Sequence, residues 1–197
     1  MKFECEITVE VDTSLENLQS ILVSHGFQLK EIYDINDIYM INKNDLDITD
    51  NLEKLLKCVL IRDIIDPEKN IKMLTYKYKE FNDKKEIIKQ GKVKCNIDDV
   101  ENAKLLFEKL NFEELIRIYD HSYVYANETD ELTIQSVNEK HLYIEIEDEC
   151  SYIDKKYSSL DELKSVITKY NIPIKGDNYF VKKAEIELSE SVKKLNR

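Results

Sequence analysis

Residues 3–11 read Phe-Glu-Cys-Glu-Ile-Thr-Val-Glu-Val, a regular alternation of apolar and polar side chains. Successive side chains of a β-strand point to opposite faces, so one face of this segment is apolar and the other carries Glu4, Glu6, Thr8 and Glu10. The alternation therefore predicts a strand with one face on a hydrophobic core. The simplest interpretation of the other face is a row of solvated carboxylates. A functional interpretation needs similar polar faces in later strands.

Composition predicts an ordinary globular protein. The chain has 197 residues, is 42% hydrophobic and is most economically one domain over 1–197. Its formal charge of −11 opposes binding to phosphate backbones and anionic membranes, so we expect neither nucleic acid nor membrane as a partner. There is no long apolar run and no charged-then-apolar leader, and we expect a cytoplasmic location.

Several classes of site are excluded by residue counts and spacing. Three glycines are too few for a P-loop or a Rossmann nucleotide site. Three histidines, far apart and without a recognisable nucleophile turn, do not suggest a hydrolytic triad. The four cysteines, at positions 5, 58, 95 and 150, are typical of buried reduced thiols rather than of a disulfide framework or a zinc site.

Helices and strands are predicted along the whole chain. Helix caps and apolar spacing predict helices from Ser14 to His25, from Asp99 to about Leu110 and from Ser159 to Tyr170, with a last helix in the tail 178–188. Apolar and alternating runs predict strands. These strands cover residues 28–41, 58–62, 73–81, 92–97, 132–137 and 142–147. Turns are predicted at 66–70 and 138–140, and an Asn-rich loop at 42–51.

The second half of the chain repeats the first. At a spacing of 86 residues, Tyr33-Asp34 is echoed by Tyr119-Asp120, and Ile38-Tyr39 by Val124-Tyr125. Two strand-helix-strand units of similar length indicate an internally duplicated α+β fold.

The polar faces of these strands carry charges of both signs. A sheet closed into a barrel would enclose such faces, and a charged interior is typical of a ligand tunnel. Carboxylates could hold a hard divalent cation, and lysine and arginine could bind phosphate oxygens. The candidate residues are Glu4, Glu6, Arg62, Lys77, Lys79, Lys92, Lys94, Arg117, Glu145 and Glu147. The alternative interpretation is that these are ordinary solvated strand faces.

Five short motifs occur in an order that resembles a known family. They are Glu4-Cys5-Glu6, Asp37-Ile38-Tyr39, Leu60-Ile61-Arg62, Leu74-Thr75-Tyr76-Lys77 and Tyr143-Ile144-Glu145-Ile146-Glu147. Over roughly residues 1–185 this order is similar to that of CYTH domains, the triphosphate tunnel metalloenzymes that include class IV adenylyl cyclases and thiamine triphosphatases. The resemblance implies an eight-stranded antiparallel barrel of two pseudo-symmetric halves with flanking helices.

The chain departs from the family pattern at several charged positions. Thr8 stands in place of a lysine, and Leu60 in place of one of two paired arginines. Lys92 and Lys94 replace two glutamates, Asp120-His121-Ser122 replaces a Lys-x-Arg motif, and Gln135 replaces an acidic residue. The positions that carry over residue by residue are Glu4, Glu6, Arg62, Lys77, Glu145 and Glu147. Fewer cationic contacts should weaken triphosphate binding.

Three functional hypotheses follow from the resemblance. The first is an enzyme acting on a small-molecule triphosphate or nucleotide by hydrolysis or cyclisation. In it, Glu4, Glu6, Glu145 and Glu147 hold Mg²⁺ or Mn²⁺, while the phosphates meet Arg62, Lys77, Lys79, Lys92, Lys94 and Arg117. The second is a catalytically degenerate relative that binds the ligand without turnover. The third is a structural or partner-binding domain in which the polar faces serve solubility alone.

Overall fold

The computed structural model describes residues 6–81 and 87–195, and at 79–81, 87–90 and 192–195 it describes the backbone alone. Eight strands and five α-helices lie in these residues. The strands are β1 (Glu6–Glu10), β2 (Gln28–Asn42), β3 (Val59–Ile65), β4 (Asn70–Phe81), β5 (Ile87–Asn96), β6 (Phe112–Ala126), β7 (Glu131–Val137) and β8 (His141–Glu147). The helices are α1 (Leu15–Ser24), α2 (Asn51–Leu56), α3 (Val100–Lys109), α4 (Leu160–Lys169) and α5 (Lys183–Leu195).

The eight strands form one sheet in the order β1-β8-β7-β6-β2-β3-β4-β5. The pairings of β1 with β8, β8 with β7, β7 with β6, β3 with β4 and β4 with β5 are antiparallel. The predicted eight-stranded antiparallel architecture is confirmed, and β1 and β8 pair within the one sheet.

Among the described residues, no backbone pairing closes the predicted barrel between β1 and β5. The outer edge of β1 is bound instead by the segment 173–181. Thr8 donates its N–H to the Tyr179 carbonyl, and Val181 donates to the Thr8 carbonyl, both at 3.0 Å. Lys175 donates to the Glu10 carbonyl at 2.8 Å. Because this edge already has its hydrogen-bond partners, it cannot also pair with a strand there.

The chain forms two compact units, and β2 and β6 are each divided between them. Unit 1 contains residues 35–119 and 183–195, and unit 2 contains residues 6–34 and 120–182. The assignment of 1–197 to a single domain stays a prediction.

The core of unit 2 confirms the apolar face predicted for β1. Ile7, Val9 and Val11 are buried and pack in a cluster with side chains of α1 and α4. Both helices begin at an N-cap serine. The Ser14 side chain accepts a hydrogen bond from Asn17 N at the beginning of α1. At α4 the Ser159 side chain does the same for Glu162.

Unit 1 has a smaller core on the helix side of β2, β3 and β4. Ile38, Met40 and Ile61 are buried there with Ala103 of α3. Asp99 caps α3 by accepting from Asn102 N. The last helix, α5, packs against α2.

The repeat is visible in the elements. Helices α1 and α3 each have ten residues, and β2 and β6 each have fifteen. A residue with positive φ, Gly26 at 80° and Asn111 at 69°, follows each helix.

Some local predictions were wrong. The segment expected to be a loop contains a short 3₁₀ helix, Lys43–Asp45, and α2 follows it. The last helix begins at Lys183, because the residues before it bond to β1. Cys58 is buried as expected, but Cys95 is exposed, because side chains of residues 92–96 on β5 are uncovered on both faces. None of the described helices is long and apolar enough to cross a membrane.

Candidate metal and phosphate sites

Three glutamates of unit 2 meet where β1 and β8 pair. Glu6 lies opposite Glu147 in the register, and Glu145 lies opposite Thr8. One carboxylate oxygen from each of the three glutamates lies within 4.8 Å of the other two. Glu6 and Glu147 are exposed, and Glu145 is half-buried. The structure thus brings together three of the four predicted metal ligands. Glu4, the fourth, lies outside the described residues.

This donor set fits a hard divalent cation. Carboxylates at such short separations repel each other unless a cation or a proton lies between them. Mg²⁺ and Mn²⁺ prefer oxygen ligands, and carboxylates are their usual protein donors. The trio offers up to six such oxygens.

A buried hydrogen-bonded group lies on the same face of the sheet, on β6 and β2. Ser122 Oγ donates to Asp120 Oδ1 at 2.9 Å, and the Tyr33 hydroxyl is hydrogen-bonded to Ser122. Ser122 is fully buried and Asp120 nearly so. His121, between them in sequence, pairs instead with Asp34. Where CYTH domains carry a Lys-x-Arg motif, this chain therefore has hydrogen-bonded hydroxyl and carboxylate groups.

Tyr33 connects this network electrostatically with the glutamates. Burial raises the pKa of Tyr33 well above its usual range, and the negative charges of Glu145 and Asp120 raise it further. The hydrogen bond with Ser122 acts against these two causes and lowers the pKa of Tyr33. Sequence reasoning used Tyr33 only as a marker of the repeat. Apolar and polar side chains are mixed along β2, and this gave no signal for the inward face.

The other positions of unit 2 at which the chain differs from the CYTH pattern hold buried neutral side chains. Thr8 is 6% exposed and Gln135 3% exposed, and Gln135 lies opposite Ser122 in the register. On this face of β1, β8, β7 and the unit 2 part of β6, the described residues include no lysine or arginine. The described side chains on this face of the unit 2 strands are therefore acidic or neutral.

In unit 1, strand register places the predicted cations on one face. Lys77 lies opposite Lys92, and Lys94 lies opposite Thr75, which in turn lies opposite Leu60. Alternation along β3 then places Arg62 on the face of Leu60. Lys77, Lys92 and Lys94 are exposed. Lys79 lies opposite Gln90, two residues beyond Lys77 on β4. We call Arg62, Lys77, Lys92 and Lys94 the basic face.

Arg62 is held by a carboxylate that sequence reasoning gave no role. Its Nε donates to Asp37 Oδ1 at 2.7 Å, and its Nη2 donates to Asp37 Oδ2 at 2.6 Å. The side chain of Asp37 is 9% exposed and that of Arg62 is 28% exposed. The Asp37-Ile38-Tyr39 motif contained this signal, but one sequence does not show which cation an aspartate will pair with.

Arg117 makes a different set of contacts in unit 1. It donates to both carboxylate oxygens of Glu114, which also binds Lys104 of α3 at 2.8 Å. The hydrogen bonds from Arg117 lower the pKa of Glu114 despite partial burial. A phosphate-binding role of Arg117 stays a prediction.

Comparisons with known proteins agree with the fold. The chain is 29% identical over 185 residues to "Putative adenylate cyclase MJ0240" of Methanocaldococcus jannaschii, covering 94% of this chain and 97% of that protein. No protein-family model matches the chain.

Solved structures share the fold at low sequence identity. PH1819 of Pyrococcus horikoshii superposes with a TM-score of 0.64 at 18% identity, covering 96% of this chain and 99% of the other. The "Putative adenylyl cyclase HpAC1" of Hippeastrum, described as having a dominant triphosphatase activity, superposes with a TM-score of 0.60 at 15% identity. It covers 95% of this chain and 96% of its own.

The chain therefore has the same fold as these solved structures, an eight-stranded antiparallel sheet with flanking helices, as in the CYTH-like tunnel folds. In sequence it is similar to MJ0240 over nearly the whole length of both chains.

Proposed function

We propose that the chain binds a triphosphate-containing small molecule or nucleotide together with a divalent metal ion. The observation that carries this proposal is the cluster of Glu6, Glu145 and Glu147, whose carboxylate oxygens lie within 4.8 Å of one another. The names of MJ0240 and HpAC1 support the class of ligand, because the first is a putative adenylate cyclase and the second a putative adenylyl cyclase with a dominant triphosphatase activity.

Glu6, Glu145 and Glu147 would hold Mg²⁺ or Mn²⁺, with Glu4 as the further candidate ligand. Such an ion, when bound, neutralises phosphate charge and orients the phosphate oxygens. The protein supplies the carboxylate oxygens for the metal from two paired strands, β1 and β8. The backbone hydrogen bonds between these strands fix the spacing of the glutamates.

The basic face is the proposed phosphate contact. Lys77 and Lys92 lie directly opposite each other on neighbouring strands, and like charges in this arrangement destabilise a sheet. A bound anion relieves that repulsion. The lysines also occur in a chain of formal charge −11, so they do not reflect a generally basic composition. Lys79 and Arg117 are the further candidates for phosphate contact.

A second candidate function is ligand binding without turnover. It is favoured by the Asp120–Ser122 hydrogen bond and the burial of Gln135, which stand where the family carries charged side chains. A neutral or acidic network there leaves fewer donors to stabilise charge that develops during phosphoryl or nucleotidyl transfer.

Calorimetry with tripolyphosphate, with and without Mg²⁺, tests the proposal. We expect binding that strengthens with Mg²⁺, and its loss in Glu6→Gln/Glu147→Gln. Glu128→Gln, an exposed glutamate of unit 2, is the matched control and should bind like the wild type. Release of phosphate from tripolyphosphate or ATP, or formation of cyclic AMP, would select the enzyme. Metal-dependent binding without either product would select the second candidate, and absence of any binding would refute both.

A further inference from the structure

Asp37 is a nearly buried carboxylate with a two-point attachment to Arg62 in unit 1. Both its oxygens accept from the guanidinium, at 2.7 Å from Nε and 2.6 Å from Nη2. Two parallel charge-assisted hydrogen bonds of this kind fix the plane of an arginine as well as its position. Arg62 therefore has one preferred orientation, which a single hydrogen bond would not impose.

The surroundings strengthen this pair. Tyr39, two residues after Asp37 on β2, is half-buried, and desolvation raises the pKa of its hydroxyl with a further contribution from the charge of Asp37. Leu60, two residues before Arg62 on β3, is 3% exposed. Low local polarity strengthens a hydrogen-bonded ion pair and makes it costly to break.

The edge of the guanidinium used by Asp37 determines what Arg62 can offer to an anion. Two of its five N–H donors, at Nε and Nη2, are committed to Asp37, and this pairing fixes the plane in which the other donors lie. The other cations of the basic face are lysines, which act as mobile point charges without a fixed fork. Among the residues of the basic face, Arg62 is therefore the one whose side-chain orientation is fixed by Asp37 before a ligand binds.

We propose that Asp37 is a positioning residue for phosphate binding, acting through Arg62. The inference rests on the proposed function, since it concerns how the basic face grips a phosphate chain. Asp37 itself does not touch the ligand, because its two oxygens are occupied by the guanidinium edge. Its effect on affinity should therefore exist only while Arg62 is present.

A double-mutant cycle in the full-length chain tests this dependence. Tripolyphosphate affinity is measured with Mg²⁺ for the wild type, Asp37→Asn, Arg62→Ala and the double variant. We expect Arg62→Ala to weaken binding by ten-fold or more and Asp37→Asn by about five-fold or more. The double variant should bind like Arg62→Ala alone. A merely structural Asp37 would instead weaken binding by the same factor in both backgrounds, and that result would overturn the inference.

A second measurement keeps the inference testable if one of these variants folds poorly. In ¹H–¹⁵N spectra the Arg62 Nε–H signal, assigned from its loss in Arg62→Ala, should be distinct and slowly exchanging in the wild-type chain without any ligand. In Asp37→Asn it should merge with the signals of exposed arginines, whereas Asp37→Glu should keep part of the protection. An Arg62 Nε–H signal that is already averaged in the wild type would refute the positioning. Wild-type protein that binds no tripolyphosphate refutes the proposed function, whereas binding with a neutral Asp37→Asn refutes the positioning alone.

Discussion

Asp130 is the most heavily bonded carboxylate among the described residues, and its removal should destabilise unit 2. Its Oδ1 accepts from Lys155 Nζ at 2.5 Å and from Tyr157 OH at 2.9 Å. Its Oδ2 accepts from Lys169 Nζ and Tyr170 OH, both at 2.7 Å. Asp130 is 2% exposed, so these bonds join β7, the segment before α4, and α4 around one buried charge.

The size of the effect follows from these contacts. Asp130→Asn replaces one acceptor oxygen by an amide that opposes a lysine and a tyrosine hydroxyl, so about two hydrogen bonds are lost. One of them is charge-assisted, at ~1.5–3 kcal/mol, and the other neutral, at ~1 kcal/mol. The side chains of Lys155 and Lys169 are 35% and 50% exposed, which lowers the charged contribution. We therefore expect a loss of ~3 kcal/mol in the free energy of unfolding, or ~6–12 °C in melting temperature for a chain of this length.

The loss should depend on pH in a defined way. Burial by itself would raise the pKa of Asp130, but the four hydrogen bonds outweigh it and hold the pKa well below its usual range. The unfolded-state pKa is about 3.9, so the stabilisation is fully present above it and is lost as the pH falls below it. Urea unfolding should give a constant difference between wild type and Asp130→Asn from pH 8 to pH 5, and a shrinking one below pH 4. A difference under ~1 kcal/mol at pH 7, or one that grows in acid, would refute this reasoning; Glu128→Gln is the control.

Three further predictions concern the same contacts and the proposed site. Tyr170→Phe removes one donor to Asp130 and should lower the unfolding free energy by ~1 kcal/mol in the same urea assay. Millimolar Mg²⁺ or Mn²⁺ should raise the wild-type melting temperature by mass action. Glu6→Gln/Glu147→Gln should abolish that shift and raise the metal-free value, because neutral amides relieve the repulsion; a lowered metal-free value would contradict the cation site. Lys92→Gln should raise stability without ligand and weaken tripolyphosphate binding, measured by thermal melting and calorimetry, whereas Lys109→Gln should do neither.

The sheet could be predicted because its core faces follow a two-residue period. Ile7 and Val9 alternate with polar neighbours, and the Cβ atoms of a strand obey that alternation whatever the partner strand is. Helix starts were equally local, since a side chain such as Ser14 bonds to the backbone three residues away. Edge pairing was not predictable, because the segment 173–181 reaches β1 across more than 160 residues of chain without a distinctive pattern.

The site was predictable in its acidic part and less so elsewhere. Glu-x-Glu occurs on both terminal strands, so alternation alone puts the two glutamates of each strand on one face, and the register in the structure then sets Glu6 opposite Glu147. The roles of Tyr33 and Asp37 depend on which side chain lies across the neighbouring strand, and a single sequence does not give that register. Lys92 and Lys94 were assigned by alternation, and they do share their face with Lys77.

The apolar faces of the strands determine the fold, and their polar faces determine the chemistry. Similarity to CYTH domains can therefore hold for the fold without holding for the chemistry. The apolar face of β1 and β8 packs against helices, so a change there would leave a cavity or strain in the core. The polar face accommodates buried Thr8, Ser122 and Gln135, because a neutral polar side chain costs less to bury than a charged one. A chain can therefore keep the CYTH-like sheet while the distribution of charge over its polar face changes. The identity of the ligand must then be argued from the glutamate trio and the basic face, and measured there, rather than inherited from the fold.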